Sequence, residues 1–405
     1  MLVADTRFWE EFVSSSQELR QPCHYPGFFA GEPVSIHDFE EVFRAATRQP
    51  ADSGLTIRVY VDGGHRADDY ERVMTDPPRP DESLEDWAAR LFGERKFGIV
   101  LNGAESVSES LSRQVARFLD PFFARRGVPY GGIDVAFFVG NYGFTPFGIH
   151  VDDRTHVLHA HLGPGTKEMS LWDPAVYQKH RGSLADCYEP ETMLPFGQTF
   201  AIRPQDLFYL PAGYFHVGNT PRFSVALAVS FIELSNKELL ELAVLEEINA
   251  QSSQLGTRLA PIRDDRPAAA WSAAADADVP LATWLRRSVV AYRLGLLSNH
   301  GLRQSPELVS CDPAALPGTS LATVKPFRMH LHEREGQPPM LLVRRRRIPV
   351  LAHPRVPSLL ARLDEGEALA VDDVVRELSG ECSGADVTAW LARLVAAGGL
   401  EIQSP

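Results

Sequence analysis

Cysteine is scarce and scattered: the four, Cys23, Cys187, Cys311 and Cys382, form no CxxC pair, which argues against a zinc knuckle or a disulfide framework and suggests reduced thiols. Positive charge is in deficit, since 40 Lys and Arg face 53 Asp and Glu for a formal net charge of -13. That background opposes nonspecific attraction to nucleic acid or an anionic membrane. No apolar run is long enough to span a bilayer, and the opening "MLVADTRFWEEF" turns acidic at once, without the basic and apolar regions of a signal peptide. These absences point to a cytoplasmic chain that stays off membranes. Internal repeats are missing too. Hydrophobic residues at 44% and charged ones at 23% fit a folded globular protein. A length of 405 residues exceeds what one core usually serves and predicts two or three domains.

The stretches 5–15 and 105–126 carry apolar residues at helical spacing, with Leu111, Val115, Phe118, Leu119 and Phe122 on one side of the second. Short β-rich runs lie between and after them at 55–63, 97–103 and 133–143, each ended by glycine or asparagine, and the strand character continues from 147 to 233. Strands this short and regular predict a mainly β fold with added helices, a double-sheet jelly roll or antiparallel barrel. At Ser235 the pattern turns helical, with a capping box to Glu238 and apolar Leu239, Leu242, Leu245 and Ile248. A second helix is expected at 280–298, after a loose connection "DDRPAAAWSAAADADVP". Two strand-like runs, then helical patterns at 357–363, 371–378 and 384–397 before "GGLEI", resemble a small winged-helix module. The expected division is 1–234, 235–320 and 321–405.

The stretch 147–174, "FGIHVDDRTHVLHAHLGPGTKEMSLWDP", holds four histidines, two adjacent aspartates and one lysine. Alternate side chains on a strand share a face, so His150 and Asp152 can reach one ion together. A His-x-Asp triplet alone also arises by chance on a half-exposed strand. The third candidate is His216 in "DLFYLPAGYFH", delivered by a Pro/Gly turn to the start of a buried strand, although a turn histidine is common without a ligand. Two histidines and one carboxylate leave open positions on an octahedral ion, as in non-haem Fe(II) oxygenases, where a 2-oxo acid and dioxygen can enter. Lys167, behind Gly-Pro-Gly, is the best-placed cation for the second carboxylate of such an acid; Arg222 is its rival, and a solvated hairpin lysine is the bland alternative.

His150-x-Asp152, "HLGPGTK" with Lys167, Trp172 and Pro174, and "DLFYLPAGYFH" with His216 together resemble the Jumonji-C and cupin-like Fe(II)/2-oxoglutarate dioxygenases, over residues 1 to about 235. The resemblance implies a double-stranded β-helix (jelly roll, cupin) domain. It implies that His150, Asp152 and His216 hold iron, that Lys167 pairs with the distal carboxylate of 2-oxoglutarate, that Phe147 lies beside the cosubstrate, and that Ser230 is the small polar residue after the last ligand. "LGPGTK" adds a residue to the turn, and His156, His159 and His161 stand where the family more often has asparagine, aromatic or aliphatic side chains. On one strand His159 and His161 share a face and His156 takes the other. Spacing from the ligand pair gives His156 the parity of His150 and Asp152 and makes it the expected cosubstrate contact. Asp153 is expected to stay solvated or support the ligands without being a fourth one.

The helical segment and winged-helix-like tail are similar to those of ribosomal-protein oxygenases, which implies hydroxylation of a protein or peptide side chain and a homodimer through the helices. A hydroxylase or N-demethylase, or one acting on a free amino acid or natural product, follows the same chemistry. Rival readings are a cupin with another metal and a non-catalytic regulator with a DNA-binding tail. For the regulator the supporting feature is "RRRR", Arg344 to Arg347; read as a strand, it sends its side chains to opposite faces of a solvated edge. Residues 355–405 hold nine acidic residues against four arginines, the wrong sign for a recognition helix.

Overall fold

The computed structural model describes residues 4–29, 36–48, 54–250, 280–306, 310–334 and 337–403. The connection expected at 264–279 lies outside them. Two compact units emerge, one within Met1–Glu233 and Leu302–Glu307, the other within Leu234–Gly301 and Leu308–Pro405.

The first unit is a pair of antiparallel sheets. Strands β1 (Cys23–Tyr25), β2 (Thr56–Val61), β3 (Phe97–Asn102), β4 (Ile133–Gly140), β5 (Gly143–Phe144), β6 (His150–Val151), β7 (Thr155–Pro164), β8 (Lys167–Trp172), β9 (Gln198–Ile202), β10 (Leu207–Leu210), β11 (Phe215–Thr220) and β12 (Ser224–Ile232) build it. The larger sheet runs β1-β10-β7-β12-β4-β3-β2 and the smaller β5-β11-β8-β9, with β6 also on β11. Ala136, Val157, Phe208, Leu210 and Ala228 from the first meet Met169, Leu171 and Ile202 from the second in one buried cluster. That is the expected jelly roll, with one face of each sheet closing the core.

Helices α1 (Thr6–Ser15) and α5 (Glu109–Arg126) match the two expected amphipathic segments. They pack through Trp9, Phe12, Phe118 and Phe122, and the Trp9 indole N–H donates to the Phe118 carbonyl at 3.2 Å. Three intervening helices, α2 (Ile36–Ala46), α3 (Ala67–Thr75) and α4 (Leu84–Phe92), and α6 (Pro174–Arg181) were not anticipated.

In the second unit, α7 (Asn236–Ala250) opens on the expected capping box: Ser235 N–H donates to the Glu238 carboxylate at 2.8 Å and Glu238 N–H to Ser235 Oγ at 3.3 Å. It packs on α8 (Leu281–Ser298) through Ala243, Tyr292 and Leu296, with Leu239 and Leu242 alongside. Leu245 and Ile248, read from sequence as part of the same apolar stripe, are exposed. A three-stranded sheet of residues 320–323, 369–370 and 400–403 carries α9 (Val356–Asp364), α10 (Val371–Glu377) and α11 (Gly384–Ala396), the helix-and-strand set expected for the tail. No helix among the described residues is long and apolar enough to cross a membrane.

The four-arginine run is not a solvated strand edge. Arg344 and Arg345 have φ of 48° and 65° and form the turn between strands 337–343 and 346–349. Arg344 is 2% exposed, stacks its guanidinium 3.5 Å over Phe327 and donates to Asn299 at 2.6 Å. Arg345 pairs with Glu246, and Arg347 with Glu247 at 2.8 Å. Period-two alternation fails because the chain reverses inside the run, and two acids of α7 pair with Arg345 and Arg347.

Candidate metal centre and its cavity

The ladder between β6 and β11 places His150 directly opposite His216, joining positions 66 apart in sequence. Their ring centroids lie 4.2 Å apart, and Asp152 Oδ2 is 3.9 Å from His216 Nε2. Ligand atoms of the three residues fall within 4.8 Å of one another, the one such cluster among the described residues. His150 Nδ1 meets the Gly148 carbonyl and His216 Nδ1 the Tyr214 carbonyl, each at 3.1 Å. With Nδ1–H donated to those carbonyls, both Nε2 lone pairs are left to converge, the orientation metal-bound imidazoles need. Burial, then the neighbouring His150, pushes His216 down to about 3, so its imidazole is neutral at physiological pH. Burial raises Asp152, against the pull of His150. Two imidazole nitrogens and one carboxylate suit a divalent first-row ion and leave half of an octahedron open. Asp153 is exposed and stands outside the cluster.

A cavity of about 690 Å³ opens onto these three residues. Among its lining residues Lys167 is 3% exposed, with its ammonium 4.6 Å over the Phe138 ring and no carboxylate partner among the described residues. The floor there is Gly218, where an added Cβ would stand 3.1 Å from Lys167 Cε, so that even a methyl would press the lysine aside by a few tenths of an ångström. The rival Arg222 is exposed and outside the cavity. The extra residue of the "LGPGTK" turn is taken up as a bulge, since β12 pairs Val225 with Gly163 and Ala226 with His161, skipping Leu162.

Phe147 and Ser230 both line the cavity. The Phe147 ring stands edge-on to His150, centroids 4.7 Å apart at 85°, and Ser230 pairs across the ladder with Asp134. The expected place of His156 is not where the structure puts it. Thr155, Val157 and His159 of β7 face the cavity, whereas His156 Nδ1 lies 2.7 Å from the Tyr209 hydroxyl and accepts from Ala212 N–H at 3.2 Å, with Nε2 3.3 Å from Glu233. Counting parity from Asp152 assumes a single strand. β6 and β7 belong to different sheets, and the turn at 152–154 resets the phase. His161 bonds the Gly165 carbonyl at 2.7 Å, bracing the turn that carries Lys167.

Several cavity residues were not anticipated. Arg58 on β2 donates to Asn102 Oδ1 at 3.2 Å, and Asn102 donates to Asp134 Oδ2 at 3.0 Å, a polar row across β2, β3 and β4. Thr56, Arg58 and Tyr60 share one face of "TIRVYV", a period-two signal present in the sequence. Arg303 and Gln304 also line the cavity, because Leu302 bridges Ile133 and Arg303 N–H donates to the Ile133 carbonyl at 2.9 Å; nothing in the sequence marks that return. Behind the row, fully buried Glu105 accepts from Val135 N–H at 3.1 Å, and burial followed by repulsion from Asp134 pushes it from 4.5 up to about 8. Unfolding releases this proton at any pH between those values, so the group's contribution is present below 4.5 and lost as pH rises toward 8. Replacing it, Glu105→Gln, should therefore stabilise the protein at pH 8, by on the order of 2–4 kcal/mol, and barely at pH 4.5. Denaturant midpoints at both pH values check this; an equal effect at both would contradict it.

No family profile and no curated protein matches the sequence. By structure, the chain is similar to crystal structures of YcfD from Escherichia coli. One aligns with TM-score 0.51 and 18% identity over 100% of this chain and 99% of that one. A second, described as ribosomal oxygenase YcfD, aligns with TM-score 0.51 and 16% identity over the same shares. A third, with cobalt and succinic acid, aligns with TM-score 0.50 and 16% identity over 98% of each chain. The fold is thus shared along the full length.

Proposed function

We propose that this chain is an Fe(II)- and 2-oxoglutarate-dependent dioxygenase that hydroxylates a side chain of a protein or peptide. The observation that carries the reading is the convergence, on one cavity, of a His-Asp-His cluster and a buried lysine that has no carboxylate partner among the described residues. A buried ammonium without a counter-ion is costly, which favours a ligand that brings an anion to it. The structural neighbour with cobalt and succinic acid holds a divalent metal and a dicarboxylic acid, the kinds of species these two features would take.

His150, Asp152 and His216 would hold the iron. Bound iron and 2-oxoglutarate supply the chemistry: dioxygen is consumed as the 2-oxo acid is decarboxylated to succinate and CO2, and one oxygen atom enters a substrate C–H bond. The protein's share is positional. Lys167 neutralises the distal carboxylate, the Gly148 and Tyr214 carbonyls fix the imidazole orientations, and Phe147 shields one side of His150. The row Arg58, Asn102 and Asp134 forms a polar wall of the same cavity and would face the substrate.

Purified protein with iron, 2-oxoglutarate and air should form succinate. Cellular peptides incubated with it should gain one oxygen atom in mass. Succinate formation stimulated by free amino acids and by no peptide would favour the small-molecule alternative. The regulator reading loses its support, because the arginine run is paired internally. Four free thiols agree with a reducing, cytoplasmic setting. The helices α7 and α8 would form the homodimer, since Leu240, Leu245, Ile248 and Leu281 are 42–55% exposed and would lose that exposure in an interface. Light scattering should give about twice the monomer mass of 44.9 kDa, and Leu245→Glu with Ile248→Glu should return it to monomer; a wild-type monomer would refute the dimer.

A further inference from the structure

His156 is a buried imidazole outside the cavity lining, yet its contacts lead back to the ligands. Its Nε2 lies 3.3 Å from the Glu233 carboxylate, which only accepts when ionised, so the proton of the neutral ring belongs on Nε2 and the lone pair on Nδ1. Burial, against the pull of Glu233, holds His156 below the ordinary histidine value and keeps that neutral form at physiological pH. Two donors lie near the lone pair, Ala212 N–H at 3.2 Å and the Tyr209 hydroxyl at 2.7 Å. The hydroxyl has a second acceptor in the Leu19 carbonyl at 2.9 Å. Ala212 N–H has none besides Nδ1 among the described residues.

Ala212 opens a run of three residues with one tie each. Gly213, in the left-handed region at φ 82°, donates its N–H to the Asp152 carbonyl at 3.0 Å. The Tyr214 carbonyl accepts from His216 Nδ1 at 3.1 Å. One turn therefore holds the backbone of one proposed ligand and the imidazole of another. The other end of the Asp152 turn is tied as well, because the Arg154 carbonyl accepts from Glu233 N–H at 2.9 Å, and the Glu233 carboxylate is the group that faces Nε2. His156 thus meets both segments that brace Asp152.

We propose that His156 is a positioning residue of the metal centre: by accepting from Ala212 N–H it fixes the turn 211–214 and, through that turn, the placement of Asp152 relative to His216. The proposal rests on reading the His-Asp-His cluster as the metal site. A backbone N–H that loses its acceptor in a buried place is costly, so without Nδ1 the turn is driven to a new arrangement and carries both ligand contacts with it. Partners that orient metal ligands govern affinity by roughly tenfold to a hundredfold. His156 acts one backbone link further out, which places its effect at about tenfold, the lower end of that range.

Calorimetric titration of the full-length, metal-free protein with cobalt(II) tests this without turnover, beside denaturant midpoints of the same preparations. Leucine and asparagine are close in size and shape, and only asparagine keeps an acceptor near the place of Nδ1. His156→Leu should raise the cobalt(II) Kd about tenfold, and His156→Asn should recover most of that loss. Tyr209→Phe removes the other neighbour of Nδ1 and spares the bond to Ala212. Its Kd should stay within about twofold of wild type, even where its midpoint falls, because the affinity follows the turn and not the stability of the fold. An unchanged Kd in folded His156→Leu, no recovery in His156→Asn, or an equal loss in Tyr209→Phe overturns the proposal and leaves the metal centre standing. Wild-type protein that takes up no cobalt(II) sinks the metal centre as well. Should His156→Leu misfold, His156→Phe, which fills the space of the ring without an acceptor, takes its place.

Discussion

Asp152→Ala is expected to reduce succinate formation to the level of a no-enzyme control, at least about a thousandfold below wild type, while the melting temperature stays close to wild type or rises. Asp152 is the one carboxylate in the cluster, and without it two imidazoles offer a divalent ion no negative charge. The stability side has its own logic. Burial raises Asp152 above its ordinary value, but its side chain is 43% exposed, so removing it costs the metal-free fold little and relieves at most a solvent-screened penalty. An inactive variant that had simply unfolded would lose both properties together. Succinate assays and thermal melts on one preparation separate the cases, and retained turnover without Asp152 would refute the ligand set.

Lys167→Met should show the same opposition at the other end of the cavity. Truncating one member of a buried charge pair costs about 2–5 kcal/mol, so the 2-oxoglutarate concentration for half-maximal turnover should rise roughly 30-fold to several thousandfold. The metal-free protein should become more stable, because an apolar chain of similar length replaces a 3% exposed ammonium with no counter-ion among the described residues. Saturation curves and chemical denaturation check the pair of signs. An unaltered saturation curve would mean that the lysine meets no anion.

How far the sequence reached can be judged residue by residue. His150, Asp152 and His216 were legible because strand parity and a Pro/Gly turn are local patterns, and the β6–β11 ladder does set His150 against His216. Lys167 stands out over Arg222 in the sequence because its turn precedes a buried strand, and the structure puts Lys167 in the cavity wall and Arg222 at the exposed surface. The choice between His156 and His159 failed because strand phase is lost wherever the chain changes sheets, as it does between β6 and β7. The arginine run was misread because a non-glycine pair at positive φ gives no turn signal of its own. Arg303 and Gln304 reach the cavity only through a return from beyond α8, information that lives in tertiary structure.

The central claim is that iron and 2-oxoglutarate bind together in the cavity that His150, Asp152, His216 and Lys167 define. Under anaerobic conditions, adding Fe(II) and then 2-oxoglutarate should produce a weak charge-transfer band in the visible, absent with either alone, abolished in Asp152→Ala and recoverable in Lys167→Met only at far higher 2-oxoglutarate. Well-folded wild-type protein that shows no such band at saturating iron and cosubstrate would contradict the account.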